Sequence, residues 1–358
     1  MLDAVVIGAG QSGLSAAYYL AQRGLEPERD FVVLDVNAGP GGAWRHRWPS
    51  LTLGAAHAVH DLPGMKLGEP DRHEPASAVV SRYYGGYEDT FGLPVQRPVK
   101  VRAVRPLDPD DGESALVVET DAGDFETRLV INGTGTWDKP YWPHYPGQQG
   151  FAGMQLHTHD FRSVADFAGR RVLVVGAGTS AVQFLLQLAA AGVDTAWSTR
   201  RVPEFTTRVF DPEWGRDVER SVNERTAAGL PPLSVVAATG IPLIEEYQRG
   251  IDGGVLVSRG GIDHLDVDKV VFADGTSYDA DAILWATGFR ASLDHLAPLK
   301  LREAGGGILM DGVKVPKEPR LLLVGYGASA STLGATRAGR AAAVEAMRRL
   351  AAMPQPVA

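Results

Sequence analysis

The feature that most narrows what this chain can fold into is a strand-to-helix turn that it uses twice. Residues 5–20 read VVIGAGQSGLSAAYYL and residues 172–188 read VLVVGAGTSAVQFLLQL. Each begins as a short apolar run suited to a strand buried on both faces, passes through a glycine-rich turn, and continues with apolar residues at helical spacing. A second pair of segments repeats as well. Residues 116–135 (LVVETDAGDFETRLVINGTG) and 269–288 (KVVFADGTSYDADAILWATG) each read as two strands joined by an Asp/Gly turn, and each ends in Thr-Gly. The duplication predicts an α/β protein of two Rossmann-like dinucleotide-binding domains, the second, at 168–285, inserted in the first, which comprises 1–167 and 286–358. The returning segment offers a buried strand at 320–324 and an Ala-rich helix at 332–352, with Arg348 and Arg349 in its last turns read as solvated cations. Regions 40–100 and 202–262 have weak periodicity, carry several Gly and Pro, and are expected to supply substrate-facing loops.

The first turn is Gly8-Ala9-Gly10-Gln11-Ser12-Gly13. In this spacing Gly8 permits a tight turn, Gly10 lets backbone approach a pyrophosphate, and Gly13 lets helix and strand pack closely, while the helix N-terminus offers unpaired N–H groups to phosphate. A second strand, 31–34, ends in Asp35, whose carboxylate suits the two hydroxyls of an adenosine ribose. The second turn, Gly176-Ala177-Gly178-Thr179-Ser180-Ala181, repeats the device, but the strand after it, near 195–198, runs into Thr199-Arg200-Arg201 instead of an acid. A 2′-phosphate would repel a carboxylate there and would be held by arginine, so the pattern predicts NADPH over NADH. Two such turns imply two dinucleotides: a tightly held flavin, FAD, and a nicotinamide that comes and goes.

Composition removes other classes. A chain of 358 residues, 44% hydrophobic and 22% charged, can build two cores. Its net charge of −8 argues against nucleic acid and anionic membrane as partners. It has no cysteine, which excludes thiolate metal sites and a redox-active cysteine pair. The opening apolar run, 4–7, is too short for a signal peptide, and no run reaches the roughly 18 apolar residues of a membrane helix, so a soluble cytoplasmic protein is expected. His157, His159 and Asp160 have a spacing compatible with a metal, but none is expected there.

Three further motifs carry a resemblance. Gly41-Gly42-Ala43-Trp44 follows the first unit; residues 151–161 (FAGMQLHTHDF) fit F-x-G-x-x-x-H-x-x-x-[FYW]; Ala286-Thr287-Gly288-Phe289 ends the second unit. Over nearly its whole length the chain resembles the flavin-containing monooxygenases, in the wider group that includes Baeyer–Villiger monooxygenases, and it is most similar to their compact bacterial type. Closure of the middle motif by Phe161-Arg162 rather than Trp-Pro favours the flavin-containing branch. The resemblance implies that NADPH reduces FAD, that reduced flavin captures O2 as a C4a-(hydro)peroxide, and that oxygen passes to a small organic substrate: a thioether, a ketone or an amine. It also implies a homodimer. The residues it places at the cofactors are Gly8, Ala9, Gly10, Gln11, Ser12, Gly13, Asp35, Gly42, Ala43, Trp44, Val101, Thr134, Gly135, Gly176, Gly178, Thr179, Ser180, Arg200, Arg201, Thr287, Gly288, Ser331 and Thr332. Trp44, Trp48 and Trp137 are expected to wall the flavin ring, and the helix starting at Ser331-Thr332 to aim its positive end at the pyrimidine. His157 is read as fixing the domain junction, and no side chain is assigned as catalytic. Gly54 stands where relatives carry asparagine, which removes a polar contact or leaves room for substrate. Two alternatives stay open: a flavoprotein that passes electrons to a separate acceptor, and a nucleotide sensor without turnover.

Overall fold

The first repeat becomes the centre of a sheet. In the computed structural model, which describes residues 1–56, 59–208, 212–233 and 239–353, β1 (Leu2–Ile7) is followed by α1 (Gln11–Gln22) and pairs in parallel with β2 (Phe31–Leu34). Next come α2 (Ala76–Phe91), β3 (Val95–Gln96), and an antiparallel run of β4 (Val101–Pro106), β5 (Leu116–Thr120) and β6 (Phe125–Asn132). The sheet order is β3-β2-β1-β6-β5-β4. Residues Ala4 to Val6 have no exposed surface, as expected of a strand covered on both faces.

The second unit starts with β7 (Met154–His157), β8 (Arg171–Val175), α3 (Thr179–Ala190) and β9 (Asp194–Ser198). An excursion follows, containing β10 (Phe205–Thr206), α4 (Pro212–Ala227), β11 (Ile241–Pro242) and α5 (Glu245–Asp252). The strands β12 (Ile262–Leu265), β13 (Lys269–Phe272) and β14 (Ser277–Asp279) form an antiparallel sheet, and β15 (Ala282–Trp285) returns to a parallel one of order β7-β15-β8-β9. Finally β16 (Leu321–Leu323) rejoins the first sheet and α6 (Thr332–Ala352) packs along α1.

The two repeats diverge at one point. In the first unit β6 is continuous: its first half pairs antiparallel with β5, its second half parallel with β1 and β16. In the second unit the same stretch is cut into β14 and β15 at Ala280-Asp281. There Arg171 clamps the break. Its backbone N–H and its guanidinium both donate to the Asp281 carboxylate, at 2.8 and 2.9 Å, and Asp281 N–H donates back to the Arg171 carbonyl at 2.9 Å.

Three expectations change. The parallel sheet of the second unit takes its edge strand from β7, upstream of the boundary placed at 168; four residues, mostly half-exposed, are too few to show a period. α2 lies in a stretch read as irregular, although Val79, Val80, Tyr83, Tyr84 and Tyr87 bury one helical face; Gly85-Gly86 masks it. Arg349 is not solvated: its side chain is 11% exposed and donates to Glu345 at 2.8 Å.

The contact between α1 and α6 is made close by Gly339. A Cβ there would lie 2.5 Å from the Ser12 carbonyl oxygen and 2.9 Å from Ala16 N, both backbone atoms that cannot rotate away. Gly339→Ala gains up to about 1 kcal/mol in helix propensity, yet is expected to lose about 1–3 kcal/mol overall by forcing the helices apart. Thermal unfolding checks this; a melting temperature at or above that of the parent would mean the helices separate without cost.

Candidate functional site

At the first turn, packing dictates two glycines and leaves the third free. Gly8 N–H donates to the Leu34 carbonyl at 2.7 Å, its φ is +97°, and a Cβ on it would lie 2.6 Å from Gly133 O. A Cβ on Gly13 would lie 1.8 Å from Gly8 O. Gly10 instead opens onto space, with nothing within 4 Å of the Cβ position. The Gly41-Gly42 step lies against that opening: a Cβ on Gly42 would be 2.9 Å from the Gly10 Cα. Ala43 is then exposed and Trp44 half-buried. Asp35, 3% exposed, receives the N–H groups of Ala9 and Asn37, each at 2.7 Å. Gln11 reaches across to α6, its amide donating to the Thr332 carbonyl at 2.7 Å and to Thr336 Oγ1 at 2.9 Å. Ser331 caps that helix by accepting from Gly334 N–H at 2.9 Å. The start of α6 is thereby held beside the start of α1, whose buried first turn holds Ser12. Thr134 Oγ1 donates to the Ser292 carbonyl at 2.6 Å, and Gly135 O accepts from Ser292 N–H. Val101 begins β4, two residues past Val99, whose N–H donates to the Asp35 carbonyl at 2.9 Å, and its half-buried side chain packs against the core. An exposed glycine backbone, a helix N-terminus and a carboxylate at the next strand end fit an adenine dinucleotide.

The second turn repeats these contacts with other partners. Gly176, φ +137°, donates to the Ser198 carbonyl at 3.0 Å, and a Cβ on it would lie 2.1 Å from Ala286 O. Trp197 Nε1 donates to the Gly176 carbonyl at 2.7 Å. Gly178 again opens onto space, and Thr179 and Ser180 begin α3. Past β9, Thr199 is buried and pinned by its N–H to Gly260 O at 3.1 Å, whereas Arg200 and Arg201 are exposed. Charge at that rim suits a phosphate that arrives from solvent.

The two cradles meet through their crossover segments. Trp137, just past Gly135, stacks on Phe289, just past Gly288, with ring centroids 5.0 Å apart. His46 stacks on the same indole at 5.8 Å, and the Arg47 guanidinium lies 4.6 Å from its centroid. Thr287 Oγ1 donates to the Tyr141 carbonyl and Tyr141 N–H donates to Gly288 O. Fully buried His157 completes the junction. Its Nδ1 accepts from His159 N–H and its Nε2 donates to Gly288 O, each at 3.1 Å. Those partners fix a neutral imidazole with no free lone pair, and burial pushes its pKa down to about 4. It can neither ligate a metal nor shuttle a proton without breaking the junction.

Two readings are corrected here. Trp48 does not wall a ring: it is 2% exposed in the core of the second unit, against Phe161 at 5.6 Å and Phe184 at 4.8 Å. Gly54 leaves no pocket, because Arg72 fills the space beside it, its carbonyl 3.1 Å from the Cβ position. One residue went unnoticed in sequence. His295 Nε2 donates to Asn132 Oδ1 at 2.6 Å, and Asn132 Nδ2 donates to Thr134 Oγ1 at 3.1 Å, a buried chain that holds the first crossover. Burial lowers His295 to about 4 as well.

Comparison with known proteins agrees with this geometry. The sequence profile described as pyridine nucleotide-disulphide oxidoreductase matches residues 5–222. A flavin-containing monooxygenase from Stenotrophomonas maltophilia superimposes with a TM-score of 0.80 at 34% identity, over 97% of this chain and 98% of that one. An indole-3-pyruvate monooxygenase, YUCCA1, of Oryza sativa subsp. japonica is 27% identical over 344 residues, 87% of this chain and 82% of the rice protein. An uncharacterized oxidoreductase, CzcO, of Bacillus velezensis is 26% identical over 297 residues, 82% of this chain and 83% of its own length.

The two histidines give the fold a pH dependence of known sign. An unfolded chain protonates each near pH 6.5, but the folded chain refuses the proton until about pH 4. Stability is therefore intact above pH 6.5 and lost as pH falls toward 4, on the order of 3 kcal/mol per group. His157→Gln keeps a donor for Gly288 but cannot titrate. Its melting temperature is expected to fall less between pH 6.5 and 4.5 than the parent's; an equally steep fall would assign the loss elsewhere.

Proposed function

The chain belongs to the flavin-containing monooxygenases, within the pyridine nucleotide-disulphide oxidoreductase family, and on that premise we propose that it oxygenates a small organic substrate, first of all a thioether to its sulfoxide. The disulphide chemistry in the broader family name needs a thiol that this chain lacks. The cofactors are FAD and NADPH, and the enzyme is a monooxygenase. The finer reading is that FAD occupies the turn at Gly8–Gly13, NADPH the turn at Gly176–Ala181, and that a cytoplasmic homodimer uses O2 for sulfoxidation, with ketone or amine oxygenation as further reactions of the same site.

One observation carries the reading: two open glycine faces, Gly10 and Gly178, whose crossovers meet at the Trp137–Phe289 stack. Bound FAD supplies the electron exchange between NADPH and O2 and the transfer of one oxygen atom, so that substrate, O2, NADPH and a proton give oxygenated substrate, water and NADP+. The protein's share is positioning. Asp35 takes the ribose of the first nucleotide, and the N-terminus of α6 favours negative charge beside it. Arg200 and Arg201 hold a 2′-phosphate with charge-assisted hydrogen bonds. His157 and the stacked rings keep the crossovers together and the junction dry, which limits loss of reactive oxygen to water.

Rapid mixing of NADPH-reduced protein with oxygenated buffer tests the reaction. A transient flavin absorbance distinct from the reduced and oxidised spectra is expected, followed by sulfoxide formation. Direct return to the oxidised spectrum, with NADPH oxidation matched by hydrogen peroxide in the presence of thioethers, would replace the monooxygenase reading with an oxidase or electron-transfer one. Replacing Arg200 by Gln and Arg201 by His is expected to raise the KM for NADPH roughly 10-fold or more, the worth of hydrogen bonds to a charged group, and to change NADH little. Equal use of NADPH and NADH by the parent enzyme would refute the coenzyme assignment.

A further inference from the structure

Among the described residues, the most deeply buried arginines are paired with carboxylates. Arg97 pairs with Glu88 at 2.6 Å, Arg128 with Asp3 at 2.8 Å and Arg320 with Glu318 at 2.7 Å, with side-chain exposures of 12%, 8% and 9%. Arg47 is half-buried, and among the described residues neither a carboxylate nor a hydrogen-bond acceptor meets its guanidinium. It lies instead over the Trp137 indole at 4.6 Å and within 5.9 Å of Trp44. Desolvation alone lowers it, to about 10, with no acid nearby to raise it. A cation partly desolvated without a counterion carries a cost, and two indole faces offset only part of it.

Its position points to an anion. Trp137 lies between the two crossovers, so Arg47 stands at the junction between the cradles rather than at either phosphate-facing turn. Arg200 and Arg201 occupy the rim at the end of the second unit's strand, where the 2′-phosphate is read to bind. A guanidinium over an indole with no acceptor on its N–H groups has an edge that matches the two oxygens of a carboxylate. We propose that Arg47 is the anion-recognition residue of the substrate site, and that the preferred substrates carry a carboxylate in addition to the atom that is oxygenated. This deepens the monooxygenase reading and rests on it for the site's location. The sequence held one hint: in Trp44-Arg45-His46-Arg47-Trp48, cations alternate with rings.

The test uses FAD-loaded enzyme, Arg47→Met, which keeps the aliphatic stem, and Arg47→Lys, which keeps the charge. Two substrates are compared, 4-(methylthio)benzoate and the neutral methyl phenyl sulfide. In Arg47→Met the ratio of kcat/KM for the carboxylate over the neutral sulfide is expected to fall roughly 10- to 100-fold through KM, and Arg47→Lys to recover part of it. A rise in the KM for NADPH or a loss of bound FAD, with that ratio unchanged, would overturn the proposal and give Arg47 to a cofactor phosphate. Binding is also read without turnover, by titrating oxidised enzyme with 4-ethylbenzoate and following the flavin absorbance. Saturable binding that weakens by the same factor in Arg47→Met supports the site even if neither sulfide is oxidised, which would sink the monooxygenase reading alone. Absence of saturable binding by the parent overturns the carboxylate site.

Discussion

Both units depend on one backbone-to-backbone contact, made twice. The first glycine of each turn lies so near the residue that follows a parallel strand, Gly133 after β6 and Ala286 after β15, that a Cβ would sit 2.6 or 2.1 Å from its carbonyl oxygen. No side-chain rearrangement can relieve a contact between main chains, so glycine is required at Gly8 and Gly176 whatever they bind. The same contact decides where the chain goes next. Each crossover leaves its strand alongside its own nucleotide turn, and the two crossovers then touch, Trp137 on Phe289. The arrangement of the two cradles follows from two tight turns and one stacked pair of rings.

Two buried histidines help secure the crossovers. His157 holds the second through Gly288, and His295 holds the first through Asn132 and Thr134. A neutral imidazole with both nitrogens bonded, as in His157, can be buried at little expense, whereas an imidazolium there would set its Nδ1–H against the His159 N–H. Arg47 differs from the Lys139–Asp294 ion pair of the same crossovers in having no carboxylate partner among the described residues. The histidine contacts close within the protein, whereas no acceptor among the described residues meets the Arg47 guanidinium, and the proposed anion site rests on that difference.

The sequence was most legible where a period was long or a strand was wholly apolar. The helix Thr332–Ala352 and the strand Phe31–Leu34 fall where their patterns put them. The two turns were legible because glycine is demanded by contacts within a few residues or with the next strand. Legibility ended where partners are remote or elements short. His295 meets Asn132 across 163 residues, and no local pattern reports that. β7 is four residues long and became an edge strand only because β15 offered a ladder. Trp48 lay beside a recognised motif but was drawn into the other unit's core, since an indole gains more from full burial against Phe161 and Phe184 than from lining a cleft.

Exposure separates the two sites, and the excursion explains why it must. Asp35 is enclosed, with two N–H groups fixed on its carboxylate, while Arg200 and Arg201 stand at the surface. On the proposed reading, the resident cofactor meets the enclosed acid and the exchanging one meets the open cations. Exchange by parting the two units is opposed by the excursion. The end of α4 is stitched to the first unit by main-chain hydrogen bonds, Met310 N–H to Thr226 O at 3.1 Å and Gly307 N–H to Gly229 O at 3.0 Å. Glu219 of the same helix pairs with Arg337 of α6. Separating the units would break this second seam as well as the Trp137–Phe289 stack, so on the proposed reading the coenzyme enters at the exposed rim of Arg200 and Arg201, where charge favours its capture.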